Sequence, residues 1–203
     1  MDEVTLSGLL SAKLCHDLVN PVGAARNGLD LMADETDPAL QKEALQLTND
    51  SLADALARLK YLRLAFGSES PGHMIQEARK AATDLFARSK VELDWPEGGV
   101  EAAPAAVRLG LNLILVAADA LPRGGSLQVD WQAERITITC TGERAVLRPE
   151  AQAALTMDGD GAGAETKLAP AFLAAALARR VGAAITCEVD AERVRIVCPI
   201  APG

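Results

Sequence analysis

Aromatic side chains and histidines are scarce in this chain. Its 203 residues include two Trp, one Tyr and three Phe, and only two histidines, His16 and His73. A core with so few rings leans on aliphatic packing, as helical bundles do. Two histidines exclude a His-rich metal centre within one chain. The four cysteines, at 15, 140, 187 and 198, form no CxxC pair and no zinc-finger spacing. Their simple reading is buried free thiols in a reducing compartment. Positive charge is also in deficit: 20 Lys and Arg stand against 28 Asp and Glu, a net −8. That balance argues against nucleic-acid binding, which needs a basic face, and against polybasic attraction to anionic lipid. No apolar run is long enough to span a membrane, and MDEVTLSGLL lacks the basic start of a secretory signal. A soluble cytoplasmic protein is expected. The GxxxxGK[ST] phosphate loop, the GxSxG elbow and HExxH are missing too.

Hydrophobic residues make up 49% and charged residues 24%, which supports a packed core and excludes disorder. The pattern divides the chain into residues 1–67 and 71–203. In the first part Leu10, Leu14, Leu18, Val22, Ala25, Leu29 and Met32 step by three or four, a stripe on one side of a helix. Asp34-Glu35-Thr36-Asp37-Pro38 breaks it, with Asp37 placed to cap a second helix that has Pro38 at its first position. Leu45, Leu52, Leu59 and Phe66 then recur every seven residues. This is a helical hairpin with more apolar surface than two helices can bury. It predicts a second hairpin alongside, as a four-helix bundle in a homodimer, or packing on the rest of its own chain.

Gly67 to Gly72 reads as a linker or sharp turn. Beyond it, residues 73–88, 104–121, 149–156 and 167–181 read as helices. Residues 91–95, 127–131, 136–140, 184–189 and 193–198 read as strands, four of them in two hairpins. Helices on one side of a mostly antiparallel sheet give an α+β sandwich of about 130 residues. Asp158 to Gly163 faintly resembles a calcium loop, but Ala162 and Ala169 stand where oxygen ligands are needed, so a plain loop is expected.

The candidate for chemistry is His16. On a helical wheel Leu14, Leu18 and Ala25 fall opposite it, while Leu9, Ala12, Asn20, Gly23 and Asn27 fall within about 40°. The ring therefore points away from the stripe, toward solvent. His16-Asp17-Leu18-Val19-Asn20-Pro21 matches the H-box pattern His-Asp/Glu-Leu-x-x-Pro of bacterial histidine kinases. Neutral imidazole is a competent nucleophile at cellular pH, and a neighbouring carboxylate can take its proton or stabilise the charge that develops. Pro21 removes a helical hydrogen bond one turn further on. Leu9, Ala12, Lys13, Val19, Asn20 and Gly23 surround the ring as a candidate partner-binding face, with Lys13 able to meet an acidic partner. His73 has no supporting motif and reads as a surface residue.

The longer stretch Leu14–Met32 closely resembles the ChpT-type histidine phosphotransferases of alphaproteobacteria, in Cys-His-Asp, then Pro-Val-Gly-Ala, then Asn-Gly-Leu-Asp-Leu. The resemblance implies a dimerising hairpin followed by a degenerate histidine-kinase-like (GHKL-type) ATP-binding domain. It implies phosphotransfer without ATP, His16 as the phosphorylated residue and Asp17 as its acid/base neighbour. No cofactor is implied on this chain; Mg²⁺ is expected on the partner receiver domain. The implied partners are receiver domains of a hybrid CckA-type kinase and of CtrA-type and CpdR-type regulators. Asn112 to Gly125 resembles a kinase N-box and its Pro-x-Gly-Gly turn. Val116 stands at the magnesium-ligand position, Gly142 at the adenine-binding aspartate, and Thr166 to Ala171 at the phosphate loop. Gly159, Gly161 and Gly163 are expected to be remnants of a mobile lid. The alternatives are an ATP-dependent histidine kinase and a non-enzymatic dimeric scaffold that binds receivers.

Overall fold

The structure is a computed structural model and describes residues 1–67, 75–98, 102–156 and 164–200. His73, the linker after Gly67 and the glycines at 159–163 lie outside the described residues.

Two long helices form the N-terminal hairpin. Helix α1 spans Glu3–Asp34 and starts at Asp2, whose carboxylate accepts the Thr5 N–H at 2.9 Å. Helix α2 spans Pro38–Phe66, capped as the sequence indicates: Asp37 accepts the Ala39 N–H at 2.8 Å and Pro38 opens the helix. Between them, Glu35 takes the N–H groups of Thr36 and Asp37 at 2.7 and 2.9 Å. Those two bonds hold its carboxyl below the usual carboxylate range.

The seam between the helices differs from the predicted leucine stripe. Its buried residues are small: Pro21, Ala25 and Gly28 on α1 face Ala44, Thr48 and Ser51 on α2. A Cβ at Gly28 would run into Thr48 Oγ1 and come within 3.0 Å of the Ala44 carbonyl. Small residues let the two backbones approach, and the leucines are displaced sideways. Leu10, Leu14 and Leu18 are half-buried, while Val22 and Leu29 are exposed. The heptad leucines Leu45, Leu52 and Leu59 are exposed as well.

The second part packs helices on a five-stranded mixed sheet. Helix α3 (Ile75–Phe86) leads into β1 (Val91–Asp94), and α4 (Pro104–Asp119) crosses over to β2 (Gly125–Gln132). Strand β3 (Arg135–Thr141) returns beside β2, followed by α5 (Pro149–Thr156), a 3-10 turn at Thr166–Leu168 and α6 (Ala169–Arg180). Strands β4 (Thr186–Asp190) and β5 (Arg193–Pro199) close the sheet, whose order is β1-β2-β3-β5-β4. Strand β1 runs parallel to β2, and the other neighbours are antiparallel. Alternation along β2 buries Leu127, Val129 and Trp131 and leaves Gln128, Asp130 and Gln132 exposed. Val129, Ile138 and Ile196 stand in register across three strands and are fully or almost fully buried. Helix α4 lies against this row with Leu109, Leu113 and Ile114 fully buried. At its centre Gly110 faces the Trp131 ring, which stacks on Trp95 with centroids 5.6 Å apart.

The hairpin is bolted to the sheet domain through the end of α2. Tyr61 is fully buried and its hydroxyl donates to the Leu111 carbonyl at 2.6 Å. The Asn112 amide donates to the carbonyls of Ala65 and Arg108, both at 2.8 Å. The asparagine that resembles the start of an N-box thus joins α2 to α4.

The cysteines depart in part from the expected burial. Cys140 and Cys198 are buried, Cys187 is half-buried and Cys15 is exposed; all four are free thiols. Burial pushes the Cys140 thiol up to about 12 and those of Cys187 and Cys198 to about 11. Thiolate, not thiol, reacts. Thiol-reactive dye at pH 8 is therefore expected to label one cysteine per native chain, and Cys15→Ser to abolish that fast phase. Fast labelling of two or more cysteines in the native protein would contradict this burial.

Candidate active site

Helix α1 carries the site on the turn just before Pro21. The proline ring has no N–H, so the Asp17 carbonyl lacks its intrahelical donor at this point. The His16 side chain is 72% exposed, as the helical wheel indicates. Its Nδ1 lies 3.2 Å from Asp17 Oδ1. Asp17 is held in turn by Lys13, whose Nζ donates to both carboxylate oxygens at 2.8 and 2.7 Å. Lys13 and Asp17 are both tucked in, at 14% and 13% exposure, against the second domain. Helix α1 meets that domain through the 3-10 turn and α6.

An open cleft of about 550 Å³ lies beside the ring. Helix α1 lines it with His16, Asp17 and Asn20. Helix α2 faces them with Asp50, Asp54 and Arg58, and Arg88 from the turn after α3 closes one side. Arg58 pairs with Asp54 at 2.9 Å, and Arg88 with Asp50 at 2.7 Å. The other surface residues named from the sequence are distributed differently. Ala12, Val19 and Gly23 are exposed along α1, outside the cleft, and a Cβ at Gly23 would meet open space. Leu9 is half-buried and packs against the core.

Residues 75–193 match the family described as "Histidine phosphotransferase C-terminal domain". The protein phosphotransferase ChpT of Brucella abortus (strain 2308) is 34% identical to this chain over 157 residues, which cover 74% of each. The chain belongs to the ChpT-type histidine phosphotransferases. A solved bacterial phosphotransferase superposes with a TM-score of 0.86 at 26% identity, covering 98% of this chain and 97% of that one. The activity is histidine-mediated transfer of phosphate in a two-component relay.

On the far side of Lys13 the phosphotransferase has a second cluster of charge. Asp119, at the end of α4, lies with Arg148 and Lys167 beside Leu147, Leu168 and Ala171. The space among these residues is only about 10 Å³, room for one water. Desolvation raises the Asp119 carboxyl above its ordinary range; Lys13, Arg148 and Lys167 oppose that shift and Asp17 adds to it. Among the described residues no group of His, Cys, Asp and Glu is arranged to hold a metal ion. Nor is any helix among the described residues long and apolar enough to cross a membrane.

Sequence reasoning missed the α2 side of the cleft. Asp50, Asp54, Arg58 and Arg88 reach His16 only through the fold, and no local pattern announces them. The Lys13–Asp17 clamp had a signal, because opposite charges four residues apart share one face of a helix.

Proposed function

We propose that His16 is the residue that carries the phosphate, with Asp17 as its acid/base partner. The observation that supports this best is the ring's posture: Nδ1 faces a carboxylate while the rest of the imidazole stands in solvent. With the proton on Nδ1, the Nε2 lone pair is free to attack. It forms an N–P bond to the phosphorus of a receiver's aspartyl phosphate. The P–O bond to that aspartate breaks, and its electron pair stays on the carboxylate beside the receiver's own Mg²⁺. The phosphoimidazole keeps its Nδ1 proton, and Asp17 stabilises the positive charge that develops there. A second receiver reverses the step. Acyl phosphate and phosphoramidate are both high-energy, so transfer is nearly balanced and positioning supplies most of the catalysis.

The partners in this reading are receiver domains of a CckA-type hybrid kinase and of CtrA-type and CpdR-type regulators. They dock on Leu9, Ala12, Lys13, Val19, Asn20 and Gly23 and on the α2 wall of the cleft. The chain works as residues 1–67, a phosphotransfer hairpin, and 71–203, a degenerate kinase-like domain, in the cytoplasm. Eight leucines of the hairpin (29, 31, 40, 45, 47, 52, 56 and 59) are at least 44% exposed, which supports a homodimeric four-helix bundle. Loss of nucleotide binding is supported at three places in the chain. Val116 offers no ligand atom. Leu168, Ala169, Pro170 and Ala171 are buried where the phosphate loop aligns. At Gly142 a Cβ would stand 2.6 Å from the Gly124 carbonyl, so an aspartate does not fit without moving the turn.

The test is transfer from a phosphorylated receiver with ATP removed, wild type beside His16→Ala. An acid-labile, base-stable label on wild type and none on the variant is the expected result. A label that persists on His16→Ala would place the phosphate elsewhere. Label appearing only when ATP is supplied directly would mean an autokinase.

A further inference from the structure

We infer that Lys13 is a positioning residue for phosphotransfer: it clamps Asp17 so that Asp17 fixes the tautomer of the His16 ring. This rests on His16 being the phosphorylated residue.

The argument starts from burial. Asp17 is 13% exposed and Lys13 14%, whereas His16 is 72% exposed. A carboxylate with so little water around it requires partners, and both of its oxygens are taken by one ammonium, at 2.8 and 2.7 Å. Two bonds from a single donor fix the carboxylate plane. The remaining capacity of Oδ1 is then presented to His16 Nδ1 at 3.2 Å. An exposed lysine–aspartate pair four residues apart on a helix contributes little, because water and salt screen it. This pair is enclosed where α1 meets the 3-10 turn and α6, so the second domain supplies the enclosure. The charged group that reaches the pair from that domain is Asp119, which itself lies beside Arg148 and Lys167. Lys13 thus stands near two carboxylates and gives its hydrogen bonds to Asp17.

The chemistry makes this geometry matter. Neutral imidazole exists as two tautomers, and the hydrogen bond at one nitrogen decides which nitrogen carries the proton. Attack through Nε2 needs the proton on Nδ1. An acceptor fixed at Nδ1 selects that form, and an acceptor free to rotate selects it less. Without Lys13 the Asp17 carboxylate loses its anchor and turns toward solvent. The docking role proposed for Lys13 differs in its signature, since it changes how tightly a receiver binds and leaves the bound rate alone.

The experiment uses the full chain labelled with ¹⁵N. The ring nitrogens of His16 are read at a pH where imidazole is neutral, assigned by comparison with His16→Ala; His73 gives the only other histidine signals. In parallel, single-turnover transfer from a phosphorylated receiver is measured over a range of receiver concentrations. Wild type is expected to show the Nδ1–H form predominating. Lys13→Met is expected to shift the ring toward Nε2–H and to lower the saturating rate by about tenfold, the scale for an outer group that orients a working one. The half-saturating receiver concentration changes by less than the saturating rate does, and Lys13→Arg restores tautomer and rate. Should Lys13→Met not fold, Lys13→Gln is read in the same assays. An unchanged tautomer and rate overturn the inference. So does a raised half-saturating concentration with an unchanged saturating rate, which assigns Lys13 to docking. A label surviving on His16→Ala would instead overturn the reading beneath it.

Discussion

Asp17→Asn is expected to slow transfer through His16 by about a hundredfold, the lower end of what a positioned acid/base group contributes. The substitution keeps the side chain's shape and removes its charge. Two consequences follow from the 3.2 Å contact with Nδ1 and the paired bonds from Lys13. The carboxamide oxygen goes to the Lys13 ammonium, because the NH₂ group and the ammonium are both donors. The NH₂ then faces the imidazole and favours a lone pair on Nδ1, so the proton moves to Nε2, the nitrogen proposed to attack. The charge proposed to stabilise the phosphoimidazolium is lost at the same time. Stability is expected to fall by about 1–3 kcal/mol, the cost of leaving a little-exposed charged group without its counter-charge, because Lys13 and Asp17 are only 14% and 13% exposed. The measurement is a single-turnover transfer time course, with a urea melt as control. A rate within twofold of wild type would mean that the carboxylate is a spectator.

Gly110→Leu is expected to cost about 3 kcal/mol of stability and to lower the melting temperature by roughly 10 °C. Glycine inside a helix is ordinarily unfavourable, and replacing it by alanine in an open helix gains about 1 kcal/mol. Position 110 reverses that rule. A Cβ there would already overlap two atoms of the Trp131 ring and approach Ile136 Cδ1 at 3.4 Å. Trp131 is also held by its stack with Trp95. Relief therefore requires parting the stack or lifting α4 off the sheet. Gly110→Leu combined with Trp131→Ala is expected to recover part of the loss. A non-additive double-mutant cycle would locate the strain at this contact. Additive effects would place it elsewhere.

Much of this fold is legible in the sequence. The two hairpin helices announce themselves through an Asp-Pro cap and sustained periodicity, and the β-hairpins through strict alternation around short turns. The inner seam of the helical hairpin is not legible. Hydrophobic periodicity marks the largest apolar residues, while close backbone approach is decided by the smallest, here Pro21, Ala25, Gly28 and Ala44. The parallel pairing of β1 with β2 depends on α4 crossing over the sheet, and no local signal reports a crossover. At the site, His16 and Asp17 are read from one short motif. Asp50, Asp54, Arg58 and Arg88 are brought in from 34 residues or more away along the chain. Each of them looks like an ordinary surface charge until its neighbours are known.

The stacked pair on the sheet domain also determines what light reports from this molecule. Both tryptophans of the chain are in that stack, 5.6 Å apart and within 5° of parallel. Indoles so close couple their electronic transitions, so the near-ultraviolet dichroism of the native protein should carry a signed couplet that vanishes when either ring is replaced. Helices α1 and α2 contain no tryptophan, and their single tyrosine, Tyr61, sits at the bolt to α4. Indole emission therefore follows the sheet domain alone. Far-ultraviolet dichroism is weighted toward the two long helices. The unlabelled wild-type chain thus carries separate optical reporters for its two parts.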